Sequence, residues 1–453
     1  MPQLVRLAAV AVIVLLAGHA ALESRQQATS ALIIRNVTLI DGTGRRALND
    51  ATVVVEGPRI TQVTTQAVTA APGAQIIDGR GKFLIPGLID VHVHLRGGSG
   101  NGNTQPMTPQ QEQAGITALH TFLYCGVTTI FDAGNQASFI FALREKERAD
   151  AIVSPRIFAT GGTVTSPGGH GSPFFIEAWP QDRAILDTHI SGKPDMVKIG
   201  QDEHGWMARP MITKLPADLL ETIIRYYHSK GIRTVIHISN EHDAIEAIYA
   251  GVDSLAHPVI QGPISTTFLN LMKVKHIPEA STLTIGESYS RLVDHPEYLD
   301  QPLYRATLDA GEIQRLRTTT AANYKNENGT RTAWMKVMTP VAQDNIRKLN
   351  AAGKDIIALG TDLSNGADTQ RELELVVAGG VSPADAIVIA TRNSARFLGK
   401  LDDLGTIEVG KLADLVLLTA DPTADINNTK AIDTVVKNGR VIDRKKLSLP
   451  VNR

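Results

Sequence analysis

From residue 31 onward, short stretches alternate apolar and polar positions with period two, the signature of half-buried strands. Residues 31–40 (ALIIRNVTLI) form the first, stopped by Asp41-Gly42-Thr43-Gly44. Residues 51–56 and 59–63 predict a hairpin about Gly57-Pro58. These strands form a small β module over residues 28–85. From Pro86 the pattern changes. Short β-branched and apolar runs alternate with longer stretches of helical periodicity, as in βα units around a parallel sheet. The strand-like runs are residues 83–95, 126–132, 156–160, 195–200, 233–239, 251–259, 276–285 and 355–362. Eight such units predict an α/β chain built on a (β/α)₈ TIM barrel over residues 86–399. Ser382 and Pro383 have the N-cap and first-turn chemistry of a helix after the last strand. Strand-like alternation then returns at residues 405–418 and 434–442. Residues 400–446 therefore rejoin the N-terminal strands, giving one β-sandwich made from both chain ends.

The length of 453 residues suits this division, because a barrel takes about 250 residues and leaves room for an accessory module. Hydrophobic residues at 43% and charged residues at 20% are ordinary for a water-soluble globular fold. A formal net charge of -1 gives no basis for nucleic acid or an anionic membrane as partner. The single cysteine, Cys125, cannot make an internal disulfide and lies in the apolar run FLYCGV, which makes it a packing residue.

Residues 1–20 read as a signal peptide. Arg6 is the basic n-region, residues 7–17 are the apolar core, and Gly18-His19-Ala20 supplies small residues for cleavage after Ala20. The apolar run is shorter than the ~20 residues of a spanning helix. The expectation is export to the periplasm or the extracellular space, with no stable membrane anchor after cleavage. Loss of Arg6, the one charged residue of the leader, takes the net charge from -1 to -2.

The densest chemistry lies in Pro86-Gly87-Leu88-Ile89-Asp90-Val91-His92-Val93-His94-Leu95. As one uninterrupted strand, it puts Asp90, His92 and His94 on one face and Ile89, Val91, Val93 and Leu95 on the other. Two imidazoles two residues apart on a strand converge on a point suited to a divalent metal, and Asp90 is placed to orient one of them. Barrel enzymes carry their chemistry at the C-terminal ends of the strands. At those ends stand Lys198 on the fourth strand, His237 on the fifth, His257 on the sixth and Asp362 on the eighth. An ammonium repels cations, so Lys198 can join a metal site only as a carbamate formed with CO₂. Burial favours the neutral amine that this reaction needs.

His-x-His, Lys, His, His and Asp on strands one, four, five, six and eight resemble the amidohydrolase superfamily. So do Pro86–Leu95, Gly360-Thr361-Asp362 and the closing strip at 405–418. A lysine on strand four is similar to the binuclear members. Gly168-Gly169-His170-Gly171 after strand three is similar to the prolidase-like branch of Xaa-Pro and Xaa-Arg dipeptidases. The resemblance implies two divalent metal ions, with Zn²⁺ the expected occupant. His92, His94 and Asp362 hold one, His237 and His257 the other, and carboxylated Lys198 bridges them. It implies a metal-bridging hydroxide as nucleophile, Asp362 as catalytic base then acid, and His170 as a substrate-binding residue. The expected substrate is a small molecule cleaved at a C–N amide bond: a dipeptide, an N-acyl amino acid or a cyclic amide. Ile238-Ser239-Asn240 after His237 departs from the Ala-Tyr step of the dipeptidases.

Three alternatives stay open on this scaffold: hydrolysis of an ester, lactone or phosphotriester, deamination, and a non-catalytic binding protein. A homo-oligomer is also compatible with the sequence. Three further features carry weaker expectations. The glycine-rich residues 97–102 form a loop at the site mouth and not a phosphate loop, because no Lys-Ser/Thr follows. Residues 286–354 are too long for a plain βα connection, include a helix near 340–349 and are placed to cap the barrel mouth. Sequons stand at Asn36, Asn328 and Asn427.

Overall fold

Gly87 divides the apolar run of residues 83–95 between two layers, where the sequence pattern predicts a single strand. In the computed structural model, which describes residues 31–98, 105–203 and 211–450, Phe83–Pro86 and Leu88–Val93 are separate strands. The expected signal peptide and residues 99–102 of the glycine-rich loop lie outside the described residues.

The first layer joins both chain ends. Strands β1 (Leu32–Leu39), β2 (Leu48–Glu56), β3 (Arg59–Thr64), β4 (Gln75–Asp78) and β5 (Phe83–Pro86) come from the N-terminal part. β5 pairs antiparallel with a late strand, Leu415–Leu418, which continues through Ile432–Lys437 to Arg440–Ile442. The predicted hairpin about Gly57-Pro58 forms, with Glu56 opposite Arg59. The stretch predicted as one strand from 434 to 442 is instead a hairpin turning at Asn438-Gly439, both at positive φ. Ile60 N donates to Lys411 O and Ala413 N to Pro58 O, so the sheet curls back on itself. The apolar positions of the alternating strands meet inside the curl, where Ile34, Val37, Val53, Val55, Leu84, Leu415 and Leu417 form a separate core.

The second layer is the barrel. Its strands are β6 (Leu88–Val93), β7 (Val127–Asp132), β8 (Arg156–Ala159), β9 (Thr163–Thr165), β10 (Pro173–Phe175), β11 (Met196–Gly200), β12 (Arg233–His237), β13 (Ser254–Leu255), β14 (Glu279–Ala280) and β15 (Ile357–Ala358). All the pairings among them are parallel. The predicted third strand at 156–160 forms as β8, and after a break at Thr160–Gly162 the chain resumes as β9: β8 pairs with β7, and β9 pairs with β11. Asp195 N to Ala159 O, together with Val91 N to Leu359 O, closes the ring. The late strands β13, β14 and β15 are only two residues long. Their apolar runs extend further because the chain stays buried past the hydrogen-bonded ladder, and periodicity cannot separate those two conditions.

Strand β6 carries a register shift between Asp90 and Val93. Ile89 and Val91 face the barrel interior with Val235, Ala256, Ala280 and Ala358. Val93 and Leu95 face the helical layer. The bulge thus overturns the predicted alternation. Asp90 points away from the two histidines and accepts from Thr361 Oγ1 at 3.0 Å and Thr369 Oγ1 at 2.8 Å.

Residues 286–354 are largely helical, ending in Gly329–Ala352, a helix longer than expected because Pro340 sits within it and does not begin it. The segment reaches the loop after β6 through Arg96 and Glu312, 2.7 Å apart. Cys125 is fully buried beside Leu292, Leu299 and Tyr304, and burial pushes its thiol up to about 12. No helix among the described residues is long and apolar enough to cross a membrane.

Candidate metal centre

At the bulge and just past it, His92 and His94 turn into the barrel. His92 Nδ1 lies 2.8 Å from Ala256 O, and His94 Nδ1 lies 2.6 Å from Gly134 O. A carbonyl can only accept, so both rings carry their proton on Nδ1 and direct Nε2 inward. Asp132 fixes the second carbonyl. Its carboxylate accepts from Gly134 N at 3.2 Å and from Leu95 N and Asn135 Nδ2 at 2.9 Å each. Backbone carbonyls thus orient both rings, the role expected of Asp90.

Asp362 approaches from the end of the eighth strand in the left-handed region, with φ 59°. Its amide donates to His92 O at 2.7 Å. Asp362 Oδ1 is 2.9 Å from His94 Nε2 and 3.5 Å from His92 Nε2. The ligand atoms of these three residues lie within 4.8 Å of one another. Burial raises the Asp362 carboxyl, but His92, His94 and Lys198 outweigh it and hold the group well below the usual carboxylate range. Burial drives His92 well below the usual imidazole value, reinforced by Lys198. His94, in contrast, is raised: burial lowers it, but its contact with Asp362 wins.

Lys198 reaches inward from β11 and sets Nζ 3.1 Å from His92 Nε2. Burial brings its ammonium down to about 8, against the pull of Asp362 and Asp132. His257 follows β13, with its ring centre 4.5 Å from that of His92 and 4.4 Å from that of His237. His257 Nδ1 meets Thr282 Oγ1 at 3.0 Å. Thr282 has φ 32° and heads the helix Leu283–Asp294, whose first amides donate to Glu372. At the end of β12, His237 Nε2 lies 3.1 Å from Asp202 Oδ2. His170 stacks on the His237 ring at 3.7 Å and 6°. The barrel mouth therefore gathers His92, His94, Lys198, His237, His257, Asp362 and His170. The compact ligand cluster comprises only the first two and Asp362, and the others pack around it.

Sequence reasoning missed Asp132, Asp202, Thr282 and Glu372. Asp132 closes the second strand and was open to the same question asked of the other strand ends. Asp202 stands four residues past Lys198, beyond its strand. Nothing local marks Thr282 or Glu372, whose partners are distant in sequence.

Imidazole nitrogens and carboxylate oxygens converging in a buried mouth are a donor set that fits divalent ions such as zinc. The amidohydrolase family model matches residues 83–442. Imidazolonepropionase of Aromatoleum aromaticum is 25% identical over 422 residues, covering 87% of this chain and 92% of the relative. Ochratoxinase of Aspergillus niger is 22% identical over 382 residues, covering 79% and 75%. Among solved structures, a Xaa-Pro dipeptidase with bound methionine superposes with a TM-score of 0.73 at 22% identity, covering 91% of this chain and all of that one. With a match spanning the barrel and all three C-terminal strands, this chain belongs to the amidohydrolase family and is a hydrolase of that type.

Proposed function

We propose that the protein hydrolyses a C–N amide bond of a small substrate at a site for two divalent ions. The convergence of His92, His94 and Asp362 within 4.8 Å, with Lys198, His237 and His257 packed around them, carries this reading. His92, His94 and Asp362 would hold one ion, and His237 and His257 the other. When bound, the ions would polarise the scissile carbonyl and lower the pKa of the attacking water.

The chain's own residues supply the rest. The neutral amine of Lys198 attacks CO₂: an N–C bond forms, one C–O π pair moves to oxygen, and a proton leaves. The resulting carbamate would turn a repelling cation into an anion with two donor oxygens. Asp362 stays ionised beside His94 and can accept a proton from the attacking water. It then delivers that proton to the departing amine nitrogen, acting as base and then acid. His170, held against His237, faces the mouth where substrate enters and is the proposed substrate-binding residue. Likeness to imidazolonepropionase, ochratoxinase and a dipeptidase supports an amide as the bond cleaved. The leader at residues 1–20 extends the proposal to a periplasmic or extracellular enzyme.

The test is a screen of zinc-loaded protein against dipeptides, N-acyl amino acids, cyclic amides, lactones and phosphotriesters. Turnover confined to the amides supports the reading. Turnover confined to esters or phosphotriesters replaces it, and stoichiometric metal without turnover of any class favours a binding protein.

A further inference from the structure

The four histidines assigned to the ions do not present the same nitrogen. His92 and His94 give Nδ1 to backbone carbonyls, and His257 gives Nδ1 to the Thr282 hydroxyl. Each therefore turns Nε2 toward the site. His237 is reversed: its Nε2 lies 3.1 Å from Asp202 Oδ2. Asp202 is 1% exposed. Its other oxygen accepts from Ser239 Oγ at 2.6 Å, and Gln261 Nε2 donates to that hydroxyl at 2.8 Å. The chain of donors runs from Gln261 through Ser239 into one side of the carboxylate, and the imidazole enters from the other. Ser239 belongs to the very step at which the sequence departs from the dipeptidase pattern.

We propose that Asp202 is a positioning residue that holds His237 as the Nε2–H tautomer and so presents Nδ1 to the metal position shared with His257. The inference rests on the two-ion reading of the site. The His170 ring, nearly parallel to His237 at 3.7 Å, fixes the plane of the imidazole. A stacked plane still allows a half-turn that exchanges Nδ1 for a ring carbon. The carboxylate removes that freedom, because only one of the two orientations gives it an N–H. A carboxylate behind a ligating imidazole also raises the basicity of the ligand, and losing such a partner typically weakens metal binding by about 10–100-fold.

Chelator competition on the protein loaded with two zinc ions tests this. In Asp202→Ala, one ion should be lost at roughly 10–100-fold lower chelator concentration, while the other keeps its wild-type affinity. Asp202→Asn keeps an acceptor oxygen for Nε2–H and should return the affinity to within a few-fold of wild type. Equal losses in Asn and Ala variants would mean that the charge of the carboxylate, and not its hold on Nε2–H, sets the affinity, and no loss in either would mean that it positions nothing; both overturn the proposal. A second measurement needs no variant of Asp202. Long-range ¹H–¹⁵N spectra of metal-free, histidine-labelled protein, with His237 assigned through His237→Gln, should show the Nε2–H form. The Nδ1–H form would overturn the proposal. A wild-type protein that never binds two ions would remove the two-ion reading, while the tautomer spectrum would still decide the role of Asp202.

Discussion

His94 Nε2 and Asp362 Oδ1 stand 2.9 Å apart, joining the first and last strands of the barrel at the seam where the two meet. The contact depends on two local distortions: the bulge in β6, which turns His94 inward, and the left-handed conformation of Asp362. In the proposed reaction it gives Asp362 two duties, as metal ligand and as proton carrier. Asp362→Asn retains a ligand oxygen and loses the proton-accepting function. It should keep most of its bound zinc while kcat falls ~10²-fold or more. Elemental analysis beside single-turnover kinetics checks this, and near-normal turnover would assign the proton to another group.

Gly200 lies under the loop that carries His170. A Cβ at this position would come 2.0 Å from His170 O, too close for the backbone to remain in place. Gly200→Ala should displace the loop and raise KM by about tenfold, equivalent to about 1.4 kcal/mol of binding. Two ions should remain bound, since Gly200 holds neither. Loss of metal in this variant would show that strand β11 had been deformed or that His237 had lost the plane its stacking on His170 gives it.

How far the site could be read from sequence depended on what local pattern encodes. Strand ends bearing His237, His257 and Asp362 were legible because a barrel gives each apolar run a known direction. The facing of Asp90 was not: a one-residue bulge reverses every later side chain while leaving the alternating sequence unchanged. The short late strands hid for a related reason, since burial in the mouth continues past the ladder. Asp202 and Thr282 act on His237 and His257 through contacts that arise only when separate βα loops meet.

A pH dependence of stability follows from His189, away from the site. Its Nε2 donates to Thr160 O at 2.7 Å and its Nδ1 meets Tyr227 Oη at 2.9 Å. Burial holds the imidazole down at about 4, only partly offset by the Thr160 carbonyl, against an ordinary value of 6.5. Between those values the unfolded chain binds a proton that the folded chain does not. Stability from this group is complete above pH 6.5 and is lost as pH falls toward 4, on the order of 3 kcal/mol in all. His189→Gln should be less stable than wild type at pH 7, and the gap should shrink on acidification. Denaturant unfolding of metal-free proteins at about pH 7, 5.5 and 4.5, spanning that window, measures it, and a constant gap would disprove the assignment.

Lys198 separates two-ion from one-ion arrangements. Its Nζ lies 3.1 Å from His92 Nε2, where an ammonium would oppose any cation. Burial lowers the group to about 8, so the neutral amine that reacts with CO₂ is populated near neutral pH. If the carbamate forms, Lys198→Ala should lose at least one ion and most of its activity. Added acetate or propionate should refill the space and restore part of both. Lys198→Arg should resist rescue, because a guanidinium stays protonated. Mass spectrometry under non-acidic conditions should find the added mass of CO₂ on wild type and lose it in acid. If Lys198 is an ion-paired barrel lysine instead, Lys198→Ala should lower stability, keep both ions and ignore carboxylate. Full metal occupancy and turnover in that variant would refute the bridging role and bring a mononuclear, deaminase-like site forward.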